Sequence, residues 1–155
     1  MKKIGGFEFY SRLLVIVLAA ITPIILLITQ GHFLSLSQYW ETDMQPLFII
    51  ANATTSYYLY GIKNWRLSAL FLLLLTSFSV TLYPNAHNIL AVLFFIVSLF
   101  PLYVSHYFKF CFWAYLISMP IMIFDMMLGE SIAIFFLCLH HLLILFRIHK
   151  IESKK

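Results

Sequence analysis

Apolar residues run in six long stretches along the chain, separated by short polar segments. The hydrocarbon core of a bilayer is about 30 Å thick, so a membrane-spanning helix needs roughly 20 largely apolar residues. The pattern therefore predicts an all-α, polytopic integral membrane protein, a bundle of six transmembrane helices. The predicted spans are residues 12–30, 46–62, 66–83, 88–106, 110–128 and 131–148.

The composition points to lipid as the solvent for most side chains. Of 155 residues, 63% are hydrophobic and 10% are charged, and the mean hydropathy is +0.94. A soluble domain is close to half apolar and a quarter charged. We therefore expect a single membrane domain over residues 1–155. The first apolar stretch is too long for a signal-peptide core and no A-x-A-like cleavage site follows it, so we interpret it as an uncleaved span.

The positions of the charged residues predict the orientation, since Lys and Arg accumulate on the cytoplasmic side of a membrane. With both chain ends in the cytoplasm, six crossings put every basic residue on that side. These residues are Lys2, Lys3, Arg12, Lys63, Arg66, Lys109, Arg147, Lys150, Lys154 and Lys155. Four acids fall on the opposite face, while Glu8 and Glu152 stay inside. The compact loops suggest a multi-pass protein of a bacterial inner membrane.

The pI of about 9.1 does not indicate a nucleic-acid partner. The basic residues sit at the ends of apolar segments and form no continuous stripe of the kind that a phosphate backbone requires. Membrane lipids are the expected partners, with a membrane protein or a second copy of this chain as alternatives.

Polar residues collect on the predicted outer face, and ionisable groups at membrane depth mark candidate functional sites. We expect one outward polar cluster that binds lipid or a partner. It comprises Glu41, Asp43, Asn52, His87, Asn88, Asp125 and Glu130. Asp125 and Glu130 are predicted to lie close together across a tight turn at Gly129-Glu130, an arrangement that suits proton exchange or cation binding. The alternative is that both acids simply reach the headgroup region.

Metal and cofactor sites are not expected. A zinc site needs three or four ligands in a tetrahedral array, and neither HxxxH nor HExxH is present. The intramembrane pair His140 and His141 has no evident histidine partner on a facing helix for haem ligation. Adjacent helical residues point about 100° apart, so we expect only one of the pair to face the interior. There it would hydrogen-bond to Tyr57, Tyr58 or Ser77.

Two short segments resemble a known group of proteins. They are Ser35-Leu36-Ser37-Gln38-Tyr39-Trp40 before the second span and His87-Asn88-Ile89-Leu90-Ala91-Val92-Leu93-Phe94-Phe95, of the form HNxxAxxFF. With Glu130 at the start of the last span, the chain is similar to the Frag/DRAM/Sfk group of six-span membrane proteins and to bacterial families such as domain of unknown function 998. The resemblance covers roughly residues 34–149 and implies a six-helix bundle with cytoplasmic ends. Eukaryotic members are linked to lipid remodelling and lipid asymmetry.

Three functions remain open at this point. The first is a non-enzymatic protein that binds or organises lipid, or a membrane partner, through the outer cluster, and we prefer it because no nucleophile–base pair is visible. The second is an intramembrane hydrolase or transferase that uses His87 with Asp125 and Glu130 as catalytic residues. The third is a small transporter or proton-relay component, which lacks support from inverted repeats or paired broken helices.

Overall fold

The computed structural model describes residues 5–152, which form six α-helices and two short 3-10 helices and contain no β-strand. The α-helices are α1 (Gly6–Gln30), α2 (Gln45–Tyr60), α3 (Arg66–Ser77), α4 (Pro84–Val104), α5 (Lys109–Phe124) and α6 (Met126–Glu152). One 3-10 helix, Leu36–Glu41, lies between α1 and α2, and the other, Lys63–Trp65, lies between α2 and α3. The all-α prediction is confirmed for this part of the chain.

The helices are arranged in a closed ring. Each α-helix packs against the next in the chain, and α6 packs back against α1. The α1–α6 pair is antiparallel: Phe9 lies 5.7 Å from Phe146 and 4.4 Å from His149 between ring centroids, while Leu26 shares an apolar cluster with Met127. Both ends of the described chain therefore lie at the same end of the ring.

Because successive helices run in opposite directions, most basic and acidic residues lie at opposite ends of the ring. We call the basic end the part of the ring formed by residues 5–12, 60–66, 104–109 and 146–152. The described cations Arg12, Lys63, Arg66, Lys109, Arg147 and Lys150 all belong to it. The acidic end, formed by residues 31–44, 78–83 and 125, carries Glu41, Asp43 and Asp125. Lys2, Lys3, Lys154 and Lys155 lie outside the described residues.

Among the described helices, three are long and apolar enough to cross a membrane: α1, α4 and α6. Their stretches of 25, 21 and 26 residues correspond to about 38, 32 and 39 Å at 1.5 Å per residue. These lengths match or exceed the hydrocarbon thickness of a bilayer, which indicates a membrane protein. The other three are shorter, with 16 residues in α2, 12 in α3 and 16 in α5.

The third helix ends earlier than its predicted span of 66–83. It stops at Ser77, and a turn follows in which the Ser79 hydroxyl accepts hydrogen bonds from the backbone N–H groups of Thr81 and Leu82, both at 3.2 Å. A serine side chain that binds its own backbone in this way competes with helix formation. The apolar run alone contained no sign of this competition.

The reversal between the last two helices lies at Asp125 rather than at Gly129-Glu130. Asp125 is the N-cap of α6, since its Oδ1 accepts a hydrogen bond of 2.9 Å from the backbone N–H of Leu128. Gly129 lies inside α6 and faces α5 at very short range. A Cβ atom placed on Gly129 would come within 2.6 Å of the backbone nitrogen of Met122. Only a residue without a side chain permits this approach.

Candidate functional site

A cavity of about 70 Å³ lies within the ring. This volume is several times the roughly 15 Å³ that one water molecule needs. The walls come from α1, α2, α3, α4 and α6, and the 3-10 helix Leu36–Glu41 contributes the wall at the acidic end. Most of the lining is apolar, including Leu26, Leu72, Leu75, Phe94, Phe95 and Leu137. The polar lining residues are Thr22, Ser37, Asn52, Thr55 and Glu130.

Glu130 is the charged residue of this cavity. It lies in the second turn of α6, directly after Gly129, where α6 approaches α5 at short range. Its exposed fraction is 5%. One carboxylate oxygen, Oε2, accepts a hydrogen bond of 2.7 Å from the backbone N–H of Leu36. Within residues 5–151, no Lys, Arg or His nitrogen lies within 4.0 Å of this carboxylate. A buried acid with one neutral donor is under-compensated, and such groups are found where a proton or a ligand supplies the rest.

Two side chains of α2 join Glu130 at the cavity wall. Asn52 and Thr55 are three residues apart, a spacing that puts them on one face of a helix. The Thr55 hydroxyl is buried and has no hydrogen-bond partner among the described residues. The neighbouring Thr54 differs, because its hydroxyl donates to the carbonyl of Ile50 at 2.6 Å. Asn52 thus offers a hydrogen-bonding group to an occupant of the cavity, whereas Thr55 lines the wall with its hydroxyl buried.

The segment of residues 31–44, which we call the plug, covers the acidic end of the ring. It is tied internally by the Tyr39 hydroxyl, which donates to the carbonyl of Gly31 at 2.5 Å. It is tied to the α3–α4 loop by Glu41, whose Oε1 accepts hydrogen bonds from the hydroxyls of Ser79 at 2.7 Å and Thr81 at 2.8 Å. The bond from Ser79, followed by that from Thr81, lowers the pKa of Glu41 below its usual range. The plug is therefore held by one carboxylate at the cavity and a second at the surface.

Asp125 does not join Glu130 in one site. Its carboxylate is occupied as the N-cap of α6, and 40% of its side chain is exposed. Its Oδ2 atom lies 3.7 Å from Nε2 of His32, a residue of the plug. This arrangement corresponds to the alternative interpretation, in which Asp125 is an ordinary acid at the helix end.

His87 is buried away from the acids. Its exposed fraction is 1%, and its ring Nδ1 bonds the carbonyl of Phe78 at 2.7 Å, so that Nδ1 carries the proton. Throughout the described chain, no carboxylate oxygen lies within 4.0 Å of its ring nitrogens. The hydrolase interpretation requires such a contact for general acid–base chemistry. His87 instead fixes the α3–α4 loop to the start of α4.

The predicted outer cluster is thus distributed over several environments. Glu130 and Asn52 line the cavity, whereas Glu41 binds the α3–α4 loop. Asp43 and Asn88 are exposed at the surface. Across residues 5–151, no three His, Cys, Asp or Glu side chains come together as metal ligands. The structure therefore brings together two of the seven cluster residues in one concave site.

His140 and His141 are both buried, with exposed fractions of 1% and 3%. The expectation that only one of them would face the interior is wrong, because α6 packs against α1 on one side and α5 on another. The expected interhelical hydrogen bond is present: Nδ1 of His141 lies 3.2 Å from the hydroxyl of Tyr58. The ring of His141 also contacts that of Trp65 in a tilted arrangement, with centroids 4.6 Å apart.

Sequence reasoning missed two groups of this site. The backbone N–H of Leu36 holds Glu130, and no residue type signals a main-chain donor. Thr55 could have been found, because it follows Asn52 at helical spacing in a helix rich in polar residues. Comparisons of the chain with protein-family models, with curated proteins and with solved structures found no match.

Proposed function

We propose that this chain crosses the membrane six times, with both ends in the cytoplasm, and binds a lipid-like amphiphile in its central cavity. The observation that carries the proposal is the carboxylate of Glu130, which is buried in a largely apolar cavity with no Lys, Arg or His nitrogen of residues 5–151 within 4.0 Å. The sequence predicted a binding cluster on the outer face of the membrane. The proposed binding residues instead line the interior of the ring. Membership of the Frag/DRAM/Sfk group stays a prediction.

The exposed apolar faces support six crossings. The short helix α3 presents Leu67, Leu70, Leu73 and Leu74 outward, each 36% exposed or more. The short helix α5 likewise presents Phe110, Trp113 and Ile117. Contiguous apolar surface of this extent is rare on soluble monomers and fits contact with lipid. The 3-10 helix Lys63–Trp65 before α3 and the loop 78–83 after it add length to the third crossing.

Cations stacked on tyrosines support the orientation. At the basic end, the guanidinium of Arg147 lies 3.8 Å from the ring centroid of Tyr107, and that of Arg66 lies 5.6 Å from Tyr60. Lys109 approaches the ring of Tyr103 and donates to its carbonyl oxygen. Tyrosine and basic residues together are typical of the interface between membrane and cytoplasm.

The chemistry of the lining defines the class of ligand. An apolar wall favours a hydrocarbon tail, whereas Glu130 and Asn52 offer acceptors to a head group that donates hydrogen bonds. An ammonium group fits best, because it compensates the buried carboxylate by charge and by hydrogen bonding together. We therefore expect an alkylammonium amphiphile to bind more tightly than a neutral alcohol and far more tightly than an alkyl sulfate.

A melting experiment in detergent tests this order. Dodecylammonium, dodecanol and dodecyl sulfate are added separately to the purified protein at neutral pH, below the critical micelle concentrations of the two charged compounds and the solubility limit of the alcohol. Ligand at 100 times its dissociation constant stabilises a protein by about 2.7 kcal/mol. For a chain of this length that corresponds to a rise in melting temperature of roughly 5 to 10 °C. We expect this rise for dodecylammonium, a smaller one for dodecanol and none for dodecyl sulfate.

Two variants make the result specific to the cavity. Glu130→Gln preserves the shape and removes the charge, so we expect it to abolish the response to dodecylammonium. Asp125→Asn changes an acid five residues earlier on the same helix end and preserves the N-cap, so it keeps the response. Equal stabilisation of wild type and Glu130→Gln by dodecylammonium would show that the ligand binds elsewhere.

A further inference from the structure

We infer that the corner between α4 and α5, together with Arg147 of α6, binds the head group of an anionic phospholipid. We call residues 103–109 the α4–α5 corner. The inference rests on the membrane placement proposed above, which puts this corner at the cytoplasmic leaflet, but it does not depend on the amphiphile in the cavity. It assigns a partner to the basic end of the ring.

Two cations are held over two tyrosine rings of this corner. The guanidinium carbon of Arg147 lies 3.8 Å from the ring centroid of Tyr107. Nζ of Lys109 lies 5.0 Å from the ring centroid of Tyr103 and donates to the carbonyl oxygen of that residue. Attraction between a cation and an aromatic face positions each charge. Lys109 follows Tyr107 by two residues, so their Cα atoms are at most about 7 Å apart. Two positive charges therefore border one short stretch of backbone.

No carboxylate of the described chain competes for these two cations. Within residues 5–151, no Asp or Glu oxygen lies within 4.0 Å of the charged nitrogens of Arg147 or Lys109. At the same end of the ring, by contrast, Arg12 pairs with Glu8 at 2.6 Å. A guanidinium presents its N–H donors in a planar fork that matches two phosphate oxygens. Because Arg147 and Lys109 are both exposed, each is accessible to a lipid head group.

The backbone of the corner is held in one conformation. The hydroxyl of Ser105 donates to the carbonyl oxygen of Tyr107 at 3.3 Å. Phe108 has a φ of 57°, in the left-handed region that a bulky residue rarely adopts. Its ring lies edge-on to that of His140 on α6, with centroids 6.5 Å apart. Such a backbone conformation persists only where the surrounding structure determines it. The corner is therefore ordered before a ligand binds, which lowers the entropic cost of binding.

Apolar surface beside the corner distinguishes a phospholipid from a soluble anion. On α5, Trp113 and Ile117 are 59% and 61% exposed, and on α4, Ile96 and Phe100 are 55% and 63% exposed. Each pair is four residues apart, a spacing that puts both members on one face of a helix. A soluble phosphate would use the cations alone, whereas a phospholipid also covers these apolar faces with its acyl chains. Basic sites at the cytoplasmic ends of membrane helices are suited to such lipids.

Quenching of tryptophan fluorescence in proteoliposomes provides the test. The vesicles are made of phosphatidylcholine with a minor fraction of phosphatidylglycerol, and either the phosphatidylglycerol or an equal fraction of the phosphatidylcholine carries bromine on its acyl chains. Bromine quenches at short range, and Trp113 lies one helical turn after Lys109, whereas Trp65 is buried and Trp40 lies in the plug. We expect brominated phosphatidylglycerol to quench wild type more strongly, and Trp113→Phe to lose this difference. Arg147→Gln should lower the preference for phosphatidylglycerol about fivefold, equivalent to about 1 kcal/mol.

Matched variants separate a site at the corner from the total charge of the basic end. Arg66→Gln removes one exposed cation of the same end, over Tyr60 on another corner, and keeps the wild-type preference. Tyr107→Leu leaves the charge unchanged but removes the ring beneath Arg147, and lowers the preference. Glu130→Gln keeps it, so this test and that of the cavity fail independently. All variants are compared at equal incorporation.

Three results would overturn the inference. The first is equal quenching of wild type by the two brominated lipids, and the second is a preference that persists in Trp113→Phe. The third is an equal loss of preference in Arg66→Gln and Arg147→Gln, with Tyr107→Leu unchanged, because the basic end then attracts lipid by its total charge alone. Since Arg147, Arg66 and Tyr107 are exposed, these variants keep the fold, and a melting curve of each checks that they do. Both leaflets contain the brominated lipid, so the result does not depend on the direction of insertion.

Discussion

Replacing Gly129 by alanine perturbs the closest contact between two helices of the ring. The new Cβ atom would lie 2.5 Å from Cγ, 2.6 Å from the backbone nitrogen and 2.8 Å from Cα of Met122. Two of these three atoms belong to the backbone of α5, so a change of side-chain rotamer cannot relieve the clash. Ordinary van der Waals contact begins at 3.4 Å. The helices α5 and α6 must therefore separate by nearly 1 Å, a gap that forfeits a quarter to a half of the dispersion energy at the contact.

The expected cost is large for a single methyl group. Overpacking of a filled interior usually costs about 1–3 kcal/mol, which corresponds to a loss of roughly 2 to 12 °C in melting temperature. The adjacent Glu130 moves with its helix, so the variant should also weaken the response to dodecylammonium. Gly6→Ala is the control, because nothing lies within 4 Å of a Cβ added there.

Thermal unfolding followed by circular dichroism in one detergent measures both variants. The reasoning predicts that Gly129→Ala melts several degrees below wild type and that Gly6→Ala melts at the wild-type temperature. Identical melting of Gly129→Ala and wild type would refute the close approach of α5 and α6.

Three further predictions concern the acidic end and the buried histidine. Asp125→Ala removes the N-cap of α6 and should cost about 1 kcal/mol, whereas Asp125→Asn should cost little; equal melting of the two variants would contradict the capping role. Since hydrogen bonds to the ionised form lower the pKa of Glu41, its contribution to holding the plug is complete above the usual glutamate range. That contribution disappears as the pH falls through the lowered pKa, so the protection of residues 35–42 against hydrogen exchange, measured relative to the intrinsic exchange rate at each pH, should fall in acid for wild type, while a Glu41→Gln variant should show reduced protection already at neutral pH. Finally, Tyr58→Phe removes the hydrogen bond to His141 and should lower stability by about 1 kcal/mol, a loss that Tyr57→Phe, at an exposed residue, should not reproduce.

The helices and their alternation could be predicted from the chain because their signals are local. Each long apolar run is visible in the sequence, and the described cations do lie at one end of the ring. Helix ends were less predictable. The end of α3 depends on the Ser79 hydroxyl, which binds backbone groups two and three residues ahead. The start of α6 depends on Asp125, rather than Glu130 five residues later, being the acid at the helix start.

The candidate site was harder to predict because it depends on which way residues face across helices distant in sequence. Asp125 and Glu130 look alike as acids near a helix end, yet one caps the helix at the surface and the other faces the cavity. The difference arises because Gly129 brings α6 against α5, and the backbone of Leu36 meets Glu130 from 94 residues away. Likewise, both His140 and His141 are covered only because α6 has neighbours on two sides.

Native mass spectrometry of the gently purified protein tests the central claim, that Glu130 holds an amphiphile in the cavity. Wild type, Glu130→Gln and Asp125→Asn are prepared in parallel from the same membranes, and any bound species is released and identified. The account predicts one amphiphile with a hydrogen-bond-donating head, retained by wild type and Asp125→Asn and absent from Glu130→Gln. Retention of the same species at equal occupancy by Glu130→Gln would contradict it.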